Sequence, residues 1–290
     1  MSSFVILTDS SADLSAELVK ELDVQVLPLS FLMDGTSYKN YPDNREMDPH
    51  QFYEYLRQGK MVTTSAVNMS DYVDTLEDLL AAGNDVLILA FSSGLSSTYQ
   101  SSRMAVEELQ ERWPQRKLYT VDTLSASLGQ GLLVYYASKM RAEGHTIEEV
   151  RDWVENNKLR LCHQFTVDDL GFLKRGGRIS SATATFGTIL KIKPVLHVDD
   201  EGHLISIGKV RGRAAALKAL VDRMEKTAED PQDQVVFISH GDCPEDAETV
   251  AQMVRDRMGV KRVVINHVGP VIGAHSGPGT VALFHLGTTR

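Results

Sequence analysis

The chain has 290 residues, a formal net charge of −9 and 42% hydrophobic residues, enough apolar sequence at this length for a sizeable core or two domains. The acidic balance argues against general nucleic-acid or anionic-membrane binding, each of which needs a basic face, while leaving local basic sites open. Cys162 and Cys243 are too few for a disulfide framework, no apolar leader follows Met1, and no run approaches the roughly 20 apolar residues that span a bilayer, so the sequence reads as a soluble protein of a reducing cytoplasm.

In chain order, residues 4–7 predict a short strand ending in the polar loop Thr8-Asp9-Ser10-Ser11-Ala12-Asp13, before a helix over 15–22. Thr8, Asp9 and Ser10 either line a site or belong to a loop that only starts the helix. Residues 24–31 form a second strand, in which Pro28 favours an edge position or a bend. The polar, turn-rich stretch 34–49 reads as a surface excursion, and 49–57 as a short amphipathic helix. Thr63-Thr64-Ser65 is a hydroxyl cluster ahead of a helix over 72–80, with Asn68 or Ser70 as its cap.

The run 85–91, DVLILAF, is continuously apolar, as a parallel strand buried on both faces must be. It meets a dense set of hydroxyls, Ser92-Ser93-Gly94-Leu95-Ser96-Ser97-Thr98, where the pattern turns helical. A strand's carboxyl end facing a helix's amino end offers open N–H groups and a positive dipole end, which suit a carboxylate or phosphate. The alternative is that Ser96 or Ser97 is merely a cap and Gly94 merely a turn. A strand over 116–122 and a helix over 125–143 complete four βα units before residue 145, the pattern of a doubly wound layer.

After a helix over 146–157 capped by Thr146, the character changes beyond Cys162. A strand is expected over 165–168. Lys174-Arg175-Gly176-Gly177-Arg178 is either a solvated turn or an oxyanion grip, since adjacent glycines allow close backbone approach and Arg binds oxyanions bidentately. Strands over 189–198 and 204–210 flank a turn at 199–202; Arg211-Gly212-Arg213 meets a helix over 214–227; a strand over 235–239, a helix over 244–258 and a strand over 263–267 follow. His275 then stands in the glycine-rich loop 269–279, before a last strand around 281–284.

No GxSxG elbow, GxxxxGK[ST] loop, GxGxxG fingerprint, HExxH or CxxC spacing is present. The parts supplied are hydroxyls, helix amino ends, Arg and His, which bind an oxyanion without needing to break a bond. Taken together, Thr8-Asp9-Ser10 with Asp13-Leu14, the hydroxyl run 92–101, Val121-Asp122-Thr123, Leu173-Lys174-Arg175-Gly176-Gly177-Arg178-Ile179 and Gly273-Ala274-His275-Ser276-Gly277-Pro278-Gly279 resemble the DegV family, bacterial fatty-acid-binding proteins that serve as the lipid-presenting subunit of fatty acid kinase.

The resemblance implies an α/β fold of two domains, an amino-terminal parallel-sheet α/β domain (1–160) and a carboxy-terminal mixed-sheet α/β domain (161–290), with a long-chain fatty acid between them. It implies that the carboxylate meets Thr64 or Ser65 and Ser93, with Ser96 nearby and His275 close to the same head group; hydroxyl donors, an Arg and a protonated His would each offset the cost of burying that charge. Arg175, Arg178 and Arg211 match the basic residues associated with the acyl phosphate and the docked ATP-dependent kinase. No cofactor or metal is implied, and the setting would be cytoplasmic phospholipid metabolism. Two stretches depart from the family: its usual Thr-Ser-Gln-Pro is Thr64-Ser65-Ala66-Val67 here, and its Ser-Gly-Thr is Ser96-Ser97-Thr98. Both retain the hydroxyls. The competing readings are an acyl-ester or lipid hydrolase using Ser93 or Ser96 with His275, and a phosphate-ester enzyme using the Arg-Gly-Gly-Arg loop.

Overall fold

The computed structural model describes residues 4–179 and 192–290. Strand β1 (Phe4–Asp9) is central in a four-stranded, all-parallel sheet, between β2 (Gln25–Leu27) on one side and β6 (Asp85–Ala90) then β7 (Leu118–Asp122) on the other. The sheet is buried on both faces, which is why β6 reads as an unbroken apolar run. Ile6, Leu87 and Leu89 pack with α1 (Ala16–Leu22), α5 (Leu128–Ala142) and α6 (Ile147–Asn157), whereas Leu7, Val86 and Ile88 pack with α3 (Met69–Ala81) and α4 (Thr98–Arg112). Asn68 caps α3, accepting from the Asp71 N–H, and Thr146 with Glu149 forms a capping box on α6.

Pro28 ends the edge strand β2, and the chain passes into a separate antiparallel sheet of order β4-β3-β5: β3 (Ser30–Met33), β4 (Thr36–Lys39) and β5 (Val62–Ser65). The expected surface excursion therefore contains a strand. Its turn is Asp34-Gly35, both at positive φ (51° and 80°), the Asp-Gly pairing that a two-residue hairpin favours. Thr63, Thr64 and Ser65 likewise belong to a strand rather than a loop. Helix α2 (Pro49–Arg57) follows its predicted span.

The second sheet is mixed, in the order β10-β9-β8-β13-β11-β12, antiparallel except for the pair β11/β12. Its strands are β8 (Leu161–Thr166), β9 (Ile192–Val198), β10 (Leu204–Arg211), β11 (Val235–His240), β12 (Arg262–His267) and β13 (Val281–Leu286). The predicted strand over 165–168 thus begins earlier, and the first three residues of the one predicted over 189–198 lie outside the described residues. Helices α8 (Arg213–Thr227) and α9 (Pro244–Met258) cover one face through Leu217, Val221 and Val250. The other face, carrying Phe165, Phe237 and Phe284, packs towards α5. Helix α5 therefore lies between the two sheets, buried nearly all round its first three turns, as apolar positions at Leu128, Leu132 and Leu133 require.

Two short helices complete the site. One is α7 (Leu170–Arg175). The other, α10 (Pro270–Ser276), occupies the stretch read as a loop: Pro270 sits at its first position, and Gly277 at φ 79° ends it.

Candidate functional site

The site is assembled where α10, β5, the loop after β6 and the turn after α7 converge. Helix α10 sits against α2 because Gly273 has no side chain; a Cβ there would lie 2.6 Å from the Tyr53 hydroxyl, which itself donates to the Val268 carbonyl (2.8 Å). His275 then faces β5, with Nε2 2.8 Å from Thr64 Oγ1. On its other edge lies Gly176. Any side chain at this position would overlap the imidazole Nδ1, so the first glycine of the Arg-Gly-Gly-Arg turn is required for close approach.

Nδ1 is buried without a partner. Burial foremost, then the positive charge of Arg178, pushes His275 down to about 4, so the imidazole is neutral near pH 7. A neutral imidazole shares a hydrogen bond with the Thr64 hydroxyl, and a carboxylate placed beside it would favour the protonated form.

Three adjoining cavities meet at His275, which lies in the wall of each. The innermost, with empty space of about 580 Å³, runs between the mixed sheet, the turn just ahead of α5, and helices α7 and α10; its wall includes Phe165, Leu173, Ile272 and Phe284. The second, about 500 Å³, is lined by Thr64, Ser65, Ser96, Ser97 and Arg178, and shares Leu95 and Ile272 with the first. The third, about 720 Å³, shares Thr64 and Arg178 with the second and includes Met61, Phe172 and Arg175. An apolar chamber thus joins a hydroxyl-lined one, which joins a vestibule rimmed by arginines.

The predicted residues divide accordingly. Thr64, Ser65, Ser96, His275 and Arg178 come together around the middle chamber, and Arg175 stands exposed on the vestibule with its guanidinium 4.5 Å from the Phe172 ring centre. Arg178 is half-buried; its Nε donates to the Leu95 carbonyl (3.3 Å), and desolvation holds its pKa below the usual value. Ser93 is not brought in: it is exposed, its N–H donates to Asp122 Oδ1 (3.2 Å), and it lines none of the three chambers. The turn at Gly94 sends the chain inwards only afterwards, so Ser96 and Ser97 are the serines of this loop that reach the site. Arg211, the exposed last residue of β10, also lies outside all three chambers.

The loop after β1 lines none of these three chambers and braces the neighbouring loop instead. Thr8 Oγ1 donates to the Leu89 carbonyl (2.7 Å), and Asp9 accepts from the Phe91 N–H (2.9 Å), holding the β6 loop in place. Two serines missed in the sequence, Ser127 and Ser239, line the inner chamber. Ser127 Oγ donates to the buried Asp13 (2.6 Å) and lies 2.9 Å from Ser239 Oγ; Ser127 is held at φ 53°, strain that only the folded surroundings impose. Neither carries a local pattern that marks it. The metal-ligand geometry found among the described residues, exposed His50 with part-buried Glu54 and Asp242, has both carboxylates already bridged by the Arg57 guanidinium. Among those residues no helix is long and apolar enough to cross a membrane.

A family model described as an uncharacterised protein of the DegV family matches residues 3–287. A DegV domain-containing protein of Clostridium perfringens is 49% identical over all of this chain and 99% of its own length. Among solved structures, a DegV family protein of Thermus thermophilus described for its fatty-acid binding is similar with a TM-score of 0.88 at 31% identity, covering 98% of this chain and 99% of that one. A DegV lipid-binding protein of Thermotoga maritima gives 0.86 at 29% identity over 99% of both chains. With the motifs in order along the chain and the parallel and mixed sheets both present, the chain belongs to the DegV family.

Proposed function

We propose that this protein is a cytoplasmic carrier that encloses one long-chain fatty acid between its two halves, residues 1–160 and 161–290, and presents the carboxylate to a separate ATP-dependent fatty acid kinase. The observation that carries this reading is the junction at His275 of an apolar chamber with a hydroxyl-lined one. The fatty-acid binding described for the relative from Thermus thermophilus supports it. Enclosing ~15 methylenes at roughly 0.8 kcal/mol each contributes on the order of 12 kcal/mol before ordering costs, so the tail would dominate affinity. The polar chamber would fix orientation: Thr64, Ser65 and Ser96 offer hydroxyl donors, and Arg178 an adjacent cation, against the cost of burying a carboxylate.

The chain lacks a phosphate-cradling GxxxxGK[ST] loop, which fits a second protein as the ATP-binding partner. The vestibule, with Arg175 exposed and Met61 66% exposed, offers that partner access to the head group. A hydrolase reading is less well supported. The hydroxyl at His275 is Thr64 rather than Ser93 or Ser96, Nδ1 has no carboxylate to orient the ring, and a pKa near 4 makes a weak general base.

Intact-mass and solvent-extraction mass spectrometry of the purified protein tests the reading. One co-purifying fatty acid per chain is expected; a protein that remains empty when offered a panel of fatty acids overturns it. Thr64→Val should weaken retention, and Arg175→Ala should keep the lipid while losing kinase-dependent acyl-phosphate formation. Normal phosphorylation by the latter would remove the kinase-facing role of Arg175.

A further inference from the structure

The inner chamber ends on a row of side chains that crosses the mixed sheet. In register, Leu204 lies opposite Val198, and His163 opposite Phe284; all four line the chamber. One level closer to the start of β13, Phe165, Ala282 and Ser239 also line it, with Phe165 opposite Ala282 and Ala282 opposite Ser239. One level further along, the residues that share this face, Leu161 on β8 and Leu286 on β13, do not. The chamber therefore stops at the level of His163 and Phe284.

That pair is rigidly backed. The two rings meet edge to face, 5.4 Å between centres and 86° apart. Both rest on Gly129 of α5, where a Cβ would lie 2.5 Å from His163 Nε2 and 2.9 Å from a Phe284 ring carbon. Helix α5 is fully buried there, so the rings cannot retreat. A packed interior has no slack to absorb a longer occupant.

We propose that His163 and Phe284, seated on Gly129, form the floor against which the methyl end of the acyl chain is measured, and so set the longest fatty acid the protein takes. This rests on the fatty-acid reading above. Removing bulk from the floor should admit longer chains, and adding bulk beneath it should push the rings inwards and exclude chains that the native protein accepts. Each methylene gained or lost is worth about fourfold in affinity at roughly 0.8 kcal/mol per buried CH₂.

The test offers delipidated protein an equimolar ladder of straight-chain saturated fatty acids and reads the bound distribution by native mass spectrometry. The expected result is a sharp upper cut-off for the native chain, a shift to longer acids in Phe284→Ala, and a shift to shorter ones in Gly129→Ala. Should Phe284→Ala fail to fold, Phe284→Leu carries the same sign with a smaller shift. A native protein that binds the ladder while the variants keep its length profile overturns the floor alone. A native protein that binds no member overturns the carrier reading, and the floor with it.

Discussion

The chemistry of the site turns on a few atoms around His275. With the ring pushed from its ordinary value of 6.5 to about 4 by burial and Arg178, the neutral form is favoured near pH 7. The sign for folding follows: the contribution of this group is complete above about pH 6.5 and is lost as pH falls towards 4. A carboxylate beside Nε2 acts oppositely, since an adjacent negative charge stabilises the imidazolium. Fatty-acid binding near pH 6 should therefore take up protons, seen by calorimetry as an observed enthalpy that depends on the ionisation enthalpy of the buffer. Binding by His275→Gln should show no such dependence, and Gly176→Ala, which displaces the ring from Thr64, should weaken it. Equal buffer dependence in native protein and His275→Gln would place the head group elsewhere. The hydroxyls and His275 were legible in the sequence because chemically unusual residues cluster there. That Ser96 enters the site while Ser93 faces solvent was not, because the distinction depends on how the loop turns at Gly94 against a hairpin distant in sequence.

That hairpin is the element that closes the inner chamber at one side. The tip of β9–β10 docks on the hydroxyl loop: Ser92 Oγ donates to the Gly202 carbonyl (3.0 Å), and a Cβ at Gly94 would lie 2.8 Å from the Glu201 carbonyl oxygen. Val198 and Leu204, on either side of the tip, line the chamber. Gly94→Ala must lift the hairpin, because the obstacle is backbone. The expected cost is about 1–3 kcal/mol of stability, as for other overpacked contacts, together with faster fatty-acid release. Displacement of a fluorescent fatty acid in a stopped-flow instrument checks the release, and an unchanged rate would mean that the hairpin does not gate the chamber. Elements of this kind differ in how far sequence reveals them. The buried run of β6 and the capped helices α3 and α6 are set by local signals, apolar continuity in one case and Asn68 or Thr146 in the others. Strand β4 was missed because all its residues but Tyr38 are exposed and it is mostly polar, although Asp34-Gly35 marks its turn. Helix α10 was missed because seven residues rich in small side chains carry too little periodicity.

At the scale of the whole molecule, the two sheets are joined through α5 and through a buried acid, Asp13, whose Oδ1 accepts from the Gly269 N–H (3.0 Å) and whose Oδ2 accepts from Ser127. Its backbone carbonyl accepts from Asn266 (2.7 Å), so the acidic loop of the first sheet is tied to β12 and to the start of α10. Burial, the largest influence, raises Asp13 from 3.8 to about 7 against these hydrogen bonds, with nearby Asp9 also raising it. For an acid raised in the fold, stability is greatest below the unfolded value and is lost as pH climbs from about 4 through 7. Buried histidines such as His275 and His240, both pushed down to about 4, act in the opposite direction as pH rises towards 6.5. The total pH profile therefore mixes the two, and the comparison that isolates Asp13 is native protein against Asp13→Asn. The amide keeps an acceptor for Gly269 and never ionises. Its thermal midpoint should gain on that of the native protein between pH 5 and pH 8, where the native chain must bury a charge and the variant need not. Parallel curves across that range would mean that Asp13 is neutralised by a partner other than a proton. A gap that instead widens against the variant as pH rises would mean that Ser127 and Gly269 require the carboxylate itself as their acceptor.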